Sequence, residues 1–219
     1  MQVWGVGKCG PDMQLSGDLR LDAIVLAAGM GKRFGGNKLT TPWRGGVLLD
    51  GALATAFAAP VRRVTVVIGA NPGVGPAARA FAETVQATDR LRLAPAGDFT
   101  LGLSASLRAG IVALPGDCDG VFVFLGDMPA IPPDISYALA AALAQGAQVA
   151  APIFEGRRGH PALFHRDQFT KLCNLSGDDG AKGVFETLDA GLVLVETDDR
   201  GVLLDVDRPA DLEPGRGWE

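Results

Sequence analysis

At 219 residues the chain is long enough to bury the core of one large domain without disulfides or a structural metal. Hydrophobic residues make up 47%, and Lys+Arg 20 against Asp+Glu 25 leaves a net charge of −5, which excludes a disordered chain and argues against nucleic acid as a partner, since no basic block is available to hold a phosphate backbone. No apolar run approaches the roughly 20 residues that span a bilayer, so no membrane partner is expected. The three cysteines, Cys9, Cys118 and Cys173, are far apart and form no CxxC, and read as reduced thiols of a cytoplasmic protein.

Residues 1–20 carry no periodic pattern and are expected to be a flexible lead; residues 21–213 read as one domain and 214–219 as a tail. Short, continuously apolar runs occur at 21–26, 64–68, 121–125, 148–151, 192–195 and 202–206, the pattern of strands buried on both faces. Helix-like stretches lie at 51–59, 76–86, 104–114, 133–145 and 180–190. Strands alternating with helices predict an α/β fold, a mostly parallel sheet covered on both sides. Ligands of such sheets bind beyond the carboxyl ends of the strands, where loops and helix N-termini converge.

The segments just beyond the strands are therefore informative. After 21–26 comes Ala27-Ala28-Gly29-Met30-Gly31-Lys32-Arg33-Phe34-Gly35-Gly36-Asn37-Lys38, four glycines with three cations inside seven residues. Glycines let backbone N–H groups approach a phosphate, and Lys32, Arg33 and Lys38 supply charge. The loop is neither a Walker A motif, because Gly36 is followed by Asn37-Lys38-Leu39, nor a dinucleotide fingerprint, because Phe34 stands where glycine is needed. The competing reading is a solvated surface loop.

After 121–125 comes Gly126-Asp127-Met128-Pro129. A carboxylate at the end of an apolar strand is costly without a cation or water, and hard oxygen donors suit Mg²⁺, so Asp127 is read as a Mg²⁺ ligand, with a helix N-cap as the alternative. The run 202–206 leads through Asp205 to Asp207; two apart on an extended chain, they face the same way, and either or both can reach the metal, or one can cap the turn at 209–212. Ser104 and Ser106 open a helix, as caps or as contacts to a base and ribose. His160 and His165 are the only histidines and lack zinc-ligand spacing.

The first loop, with Leu26, Arg33 and Lys38-Leu39, resembles the signature of nucleotidyltransferases with a Rossmann-like, three-layer α/β/α fold. Gly102-Leu103-Ser104-Ala105-Ser106-Leu107-Arg108, Gly126-Asp127-Met128-Pro129, Gly159-His160-Pro161, Gly177-Asp178-Asp179-Gly180-Ala181-Lys182 and Asp205-Val206-Asp207 continue the match in order, and together they resemble the molybdenum cofactor cytidylyltransferases and their close relatives over residues 22–212.

That resemblance implies a nucleotide held by Leu26, Ala27, Ala28, Gly29, Gly31 and Lys38, with Ser104, Ser106 and Leu107 on the same side. It implies Arg33 and Lys38 on the phosphates, Mg²⁺ on Asp127 assisted by Asp207 or Asp205, and His160 and Asp178 toward a pterin. The implied reaction is CTP plus a molybdopterin-type phosphate giving the cytidylylated cofactor and pyrophosphate, with a molybdoenzyme or chaperone receiving the product. Transfer of GMP to the same cofactor, transfer to another phosphorylated small molecule, and a nucleotide-binding module without turnover are the alternatives. Ala28 is expected to narrow the base site in favour of CTP over GTP.

Overall fold

The computed structural model describes residues 2–4, 19–177, 185 and 191–213. Its amino-terminal half contains β1 (Gln2–Trp4), β2 (Leu21–Ala27), a small hairpin of β3 (Pro42–Trp43) and β4 (Gly46–Val47), α1 (Leu48–Ala58), β5 (Val64–Ile68), α2 (Val74–Thr84), β6 (Leu91–Pro95) and α3 (Leu103–Val112). There follow β7 (Gly120–Leu125), α4 (Asp134–Ala144), β8 (Val149–Phe154), β9 (Arg157–Arg158), β10 (Ala162–His165), α5 (Phe169–Cys173) and β11 (Leu192–Glu196). Among the described residues the main sheet runs β1-β11-β8-β10-β7-β2-β5-β6, with β9 attached to β8. All its pairings are parallel except those of β10 with β7 and β8 and of β9 with β8.

The continuous apolar run of β2 becomes a central strand because all seven of its residues are buried. Its period of two then divides the core. Ala23, Val25 and Ala27 face a cluster with Leu49 and Leu53 of α1, Ala78 of α2 and Leu139 of α4. Ile24 and Leu26 face the other cluster, with Leu107 and Ile111 of α3 and Leu172 of α5. The result is the expected three-layer α/β/α architecture. It sends the carboxyl ends of β2, β5, β6, β7, β8 and β11 to one side of the molecule.

Several expectations are corrected. The run 202–206 is not a strand: residues Arg200–Leu203 form a 3₁₀ turn and 204–207 are irregular, with Val202 and Val206 buried individually. Two strands escape the periodicity, β6 at the sheet edge and the antiparallel β10. Within the segment read as a lead, residues 2–4 pair in parallel with Val193–Val195. The helix expected at 180–190, apart from Phe185, and the tail at 214–219 lie outside the described residues. No helix of the described residues is long and apolar enough to cross a membrane.

The opposite end of the sheet is closed by charge. Asp22, fully buried, accepts from Arg62 Nη2 at 2.7 Å, and Arg62 Nη1 reaches Asp117 at 2.9 Å. Arg20 pairs with Asp119 at 2.9 Å. Between these lies Cys118, whose thiol is pushed up to about 12, chiefly by burial and further by Asp22; it is not a nucleophile at neutral pH.

Candidate functional site

The glycine loop leaves β2 and makes two short 3₁₀ turns, Lys32–Phe34 and Lys38–Thr40. Gly31 precedes the first at φ +58 and accepts backbone hydrogen bonds from Phe34 and Gly36. A Cβ at Gly31 would also lie 3.2 Å from Cβ of Lys38, so only glycine lets the loop fold back against its own lysine. Asn37, at φ +51, then turns the chain so that Lys38 points inward.

Lys38 ends at the carboxylates. Its Nζ lies 2.7 Å from Asp127 Oδ2 and 3.4 Å from Asp207 Oδ1, and its side chain is only 11% exposed. Arg33 Nη1 reaches the other oxygen of Asp207 at 2.6 Å, from a side chain that is 74% exposed. Asp127 sits just beyond β7 and does not cap α4, whose N-cap is Pro133. Its carbonyl accepts from Val206 N at 2.9 Å, which fixes one carboxylate-bearing segment to the other. Neither Asp205 nor Asp207 caps the turn at Pro209–Leu212; Asp211 accepts from the backbone of Asp207 and Arg208 at 3.0 and 2.7 Å. Asp205 is exposed beside this group, and desolvation of its carboxyl, then the charges of Asp127 and Asp207, raise its pKa. Arg33, Lys38, Asp127 and Asp207 are thus in one ion-paired cluster, with Asp205 at its edge.

Beside the cluster is a cavity of about 430 Å³. Leu26, Ala27, Ala28, Gly29 and Gly31 line one wall, Ser106 another, and Lys32, Lys38 and Asp127 its charged end. Ser104 and Leu107 are not among the lining residues: both are buried on α3, Leu107 in the core and Ser104 with an unpartnered Oγ. The N-cap of α3 is Gly102, so neither serine caps it. Asp178 lies outside the described residues. Asn71, Phe99 and Thr100, which no sequence motif singles out, also line the cavity. Asn71 lies just beyond β5 in Gly69-Ala70-Asn71-Pro72-Gly73, the kind of strand-end position that marks ligand loops.

His160 is not among the cavity-lining residues, but it feels the charge of Asp127. Its Nδ1 is buried without a hydrogen-bond partner, and burial lowers the imidazole to about 4 against the smaller opposing effects of a hydrogen bond with the Val123 backbone and of Asp127. It is a neutral ring at physiological pH.

The family described as a MobA-like NTP transferase domain matches residues 23–192, and the chain belongs to it. It is 30% identical over 206 residues to the purine catabolism protein PucB of Bacillus subtilis (strain 168), covering 88% of this chain and 94% of that one. To the molybdenum cofactor cytidylyltransferase of Escherichia coli (strain K12) it is 25% identical over 191 residues, 87% and 93% of the two chains. The crystal structure of Rv0371c from Mycobacterium tuberculosis H37Rv superposes with a TM-score of 0.73 at 23% identity, over 88% of this chain and 95% of that one. A further structure of that protein is a complex with manganese, with a TM-score of 0.64 at 23% identity over 82% and 88% of the two chains. The protein is a nucleotidyltransferase, with the fold the sequence predicts.

Proposed function

We propose that the protein transfers CMP from CTP to the terminal phosphate of a molybdopterin-type acceptor and releases pyrophosphate. The observation that carries this reading is Lys38 Nζ, held by Asp127 and Asp207 at the charged end of the glycine-loop cavity. Cations of the kind that bind phosphate and carboxylates of the kind that bind a metal meet there at hydrogen-bond distance. The 25% identity to the Escherichia coli cytidylyltransferase supports CTP and the cofactor as substrates.

The donor set fits a hard divalent cation. The two carboxylates already share one cationic group, so they converge closely enough to share a metal ion. No cluster of three or more His, Cys, Asp or Glu capable of holding a metal occurs among the described residues. Mg²⁺ binds through one or two carboxylates and completes its shell with phosphates and water, and Asp127 and Asp207 would be those carboxylates. The manganese complex of Rv0371c supports a divalent cation in this fold. When bound, such an ion supplies positive charge to the triphosphate.

The chain's own residues do the rest. Backbone N–H groups of the glycine loop and the side chains of Lys38 and Arg33 hold the triphosphate as charge-assisted donors. An oxygen of the acceptor phosphate forms a bond to the α-phosphorus of CTP while the bond from that phosphorus to the bridging oxygen breaks, and pyrophosphate leaves in line. The nucleophile is already anionic, so no general base is required; alignment of two anions and relief of their repulsion are the catalytic tasks. Ala28, 1% exposed and lining the cavity, restricts the room for a purine. His160, whose buried ring feels the charge of Asp127, is assigned to the side of the acceptor in this reading.

The test is incubation with CTP or GTP, Mg²⁺ and molybdopterin, with the product identified by mass. A cytidylylated cofactor and pyrophosphate are expected. A guanylylated product refutes the base assignment, and transfer only to other phosphorylated acceptors refutes the cofactor.

A further inference from the structure

The segment that delivers Lys38 has little regular structure, yet the lysine is almost fully withdrawn from solvent and aligned on two carboxylates. The two carboxylates hold its ammonium end, and the turn that carries its backbone is fixed separately. The backbone provides Thr40 N to the Asn37 carbonyl at 3.0 Å and Thr41 N to the Lys38 carbonyl at 3.2 Å, both inside the turn. Side chains tie the turn to the sheet. Thr40 Oγ1 donates to the Asn37 carbonyl at 3.1 Å and accepts from Asn71 Nδ2 at 3.1 Å. Asn71 is itself fixed, because its Oδ1 accepts from Gly73 N at 2.8 Å at the start of α2.

These bonds form one chain, from the loop after β5 through Asn71 and the Thr40 hydroxyl to the residue immediately before Lys38. Its polarity is consistent: the single hydroxyl proton goes to Asn37 and a lone pair takes the amide proton of Asn71. Packing around it is close. A Cβ at Gly73 would lie 3.1 Å from both Asn71 Oδ1 and Thr40 Cγ2, a contact tight enough that the neighbours would have to give way by a few tenths of an ångström. The carbonyl of Asn37, a residue at φ +51, also accepts from Thr41 Oγ1 at 3.3 Å, but only the Thr40 hydroxyl links it onward to Asn71.

We infer that Thr40 and Asn71 are positioning residues that hold Lys38 in place for the nucleotide phosphates. The inference rests on the nucleotidyl-transfer reading but concerns residues that reading does not use. Asn71 also lines the cavity, where its substitution mixes two effects, whereas Thr40 is not among the lining residues. Thr40 therefore carries the test.

Thr40→Val removes the hydroxyl and keeps the branched shape; Thr40→Ser restores the hydroxyl. Two readouts are used: amide hydrogen exchange across residues 37–41, which needs no substrate, and CTP binding with Mn²⁺ present, by calorimetry. In Thr40→Val exchange should speed up at least tenfold and CTP binding weaken at least fivefold, while Thr40→Ser stays within twofold of the unaltered protein in both. In a Lys38→Met background, Thr40→Val should weaken CTP binding no further, because a positioning residue has nothing left to position. Equal weakening in both backgrounds, or faster exchange with unchanged CTP binding, overturns the inference. If the unaltered protein binds no nucleoside triphosphate, the nucleotidyl-transfer reading fails first and takes the inference with it.

Discussion

Lys38→Met should make the protein bind a divalent cation more tightly while binding nucleotide less well. In the free protein the carboxylates of Asp127 and Asp207 are neutralised by Lys38 at 2.7 and 3.4 Å and by Arg33 at 2.6 Å. A metal ion arriving alone must displace the ammonium group or sit beside it. With Lys38 only 11% exposed, screening by water is incomplete, and at an effective dielectric near 20 a unit charge about 4 Å away is worth about 4 kcal/mol. Asp127 at 26% and Asp207 at 39% exposure reduce that, and the neutral variant leaves about 1.4 kcal/mol or more in favour of the metal, at least tenfold in affinity. Methionine keeps most of the length and an apolar stem without the charge. In the unaltered protein a triphosphate offers Lys38 another anion, so CTP should tighten metal binding, and by reciprocity the metal should tighten CTP. Free Mn²⁺ followed by electron paramagnetic resonance, with and without CTP, measures all four states. Asp127→Asn is the control: it should weaken Mn²⁺ binding in either background and reduce transfer at least about a hundredfold, near 3 kcal/mol, with the fold retained. Mn²⁺ affinity in Lys38→Met equal to or weaker than in the unaltered protein would refute the competition.

Burial sets two further outcomes. The fold keeps His160 neutral down to about pH 4, whereas in the unfolded chain it takes up a proton near 6.5. The unfolded state therefore binds more protons within that window, and stability should be fully present above about pH 6.5 and lost as pH falls toward 4, by up to about 1.4 kcal/mol per unit. Denaturant unfolding at a series of pH values should show this slope and lose it in His160→Gln; the same slope in both would exclude His160 as its source. At the other end of the sheet, Arg62→Met strips a buried carboxylate of its partner and should cost about 3 kcal/mol, while Asp22→Asn in the same chain should recover much of it. Equal stability of Arg62→Met and the unaltered chain, by thermal unfolding, would contradict that pairing.

The sequence makes legible what local pattern encodes. Buried parallel strands read as unbroken apolar runs, and the Gly29–Gly36 stretch and Gly126-Asp127 punctuate two of them, so β2, β7 and the residues beyond them can be placed. β6 is invisible because an edge strand with Arg92 exposed and Pro95 at its end lacks that run. β10 escapes because its antiparallel place between β7 and β8 is decided by tertiary pairing, and no local period reports it. The segment 202–206 misleads in the opposite sense: Val202 and Val206 are buried one at a time by an irregular chain, which composition cannot tell from a strand. Leu107 is expected at the site with its neighbours, yet a leucine on the inward face of α3 has the core as its destination. Asn71 stands beyond a correctly predicted strand, but its hydrogen bond to Thr40 joins positions 31 residues apart and leaves no local trace.

The two ends of the sheet treat charge differently, and the difference bears on how the site works. At the Asp22 end, the aspartate is wholly buried and Arg62 is shared between it and Asp117, so the pairing belongs to the folded frame. At the Asp127 end, the acids are fixed by backbone: Asp127 at the end of β7 and bonded to Val206, Asp207 through its N–H to Asp211. The cations opposite them come from a loop with Gly31, Gly35, Gly36 and Asn37 all at positive φ, and Arg33 is largely in solvent. The acids are thus held directly by the frame of the sheet, whereas the cations reach them from the loop, Lys38 through a turn tied back to Asn71 and Arg33 from solvent. In the proposed reaction a triphosphate entering the cavity should draw the Lys38 and Arg33 head groups off their carboxylates while the Thr40–Asn71 contact keeps the turn in place. On the proposed reading, one binding event should then both engage the phosphates and free the carboxylates for a metal. A rigid pairing like that of Asp22 and Arg62 would forbid it.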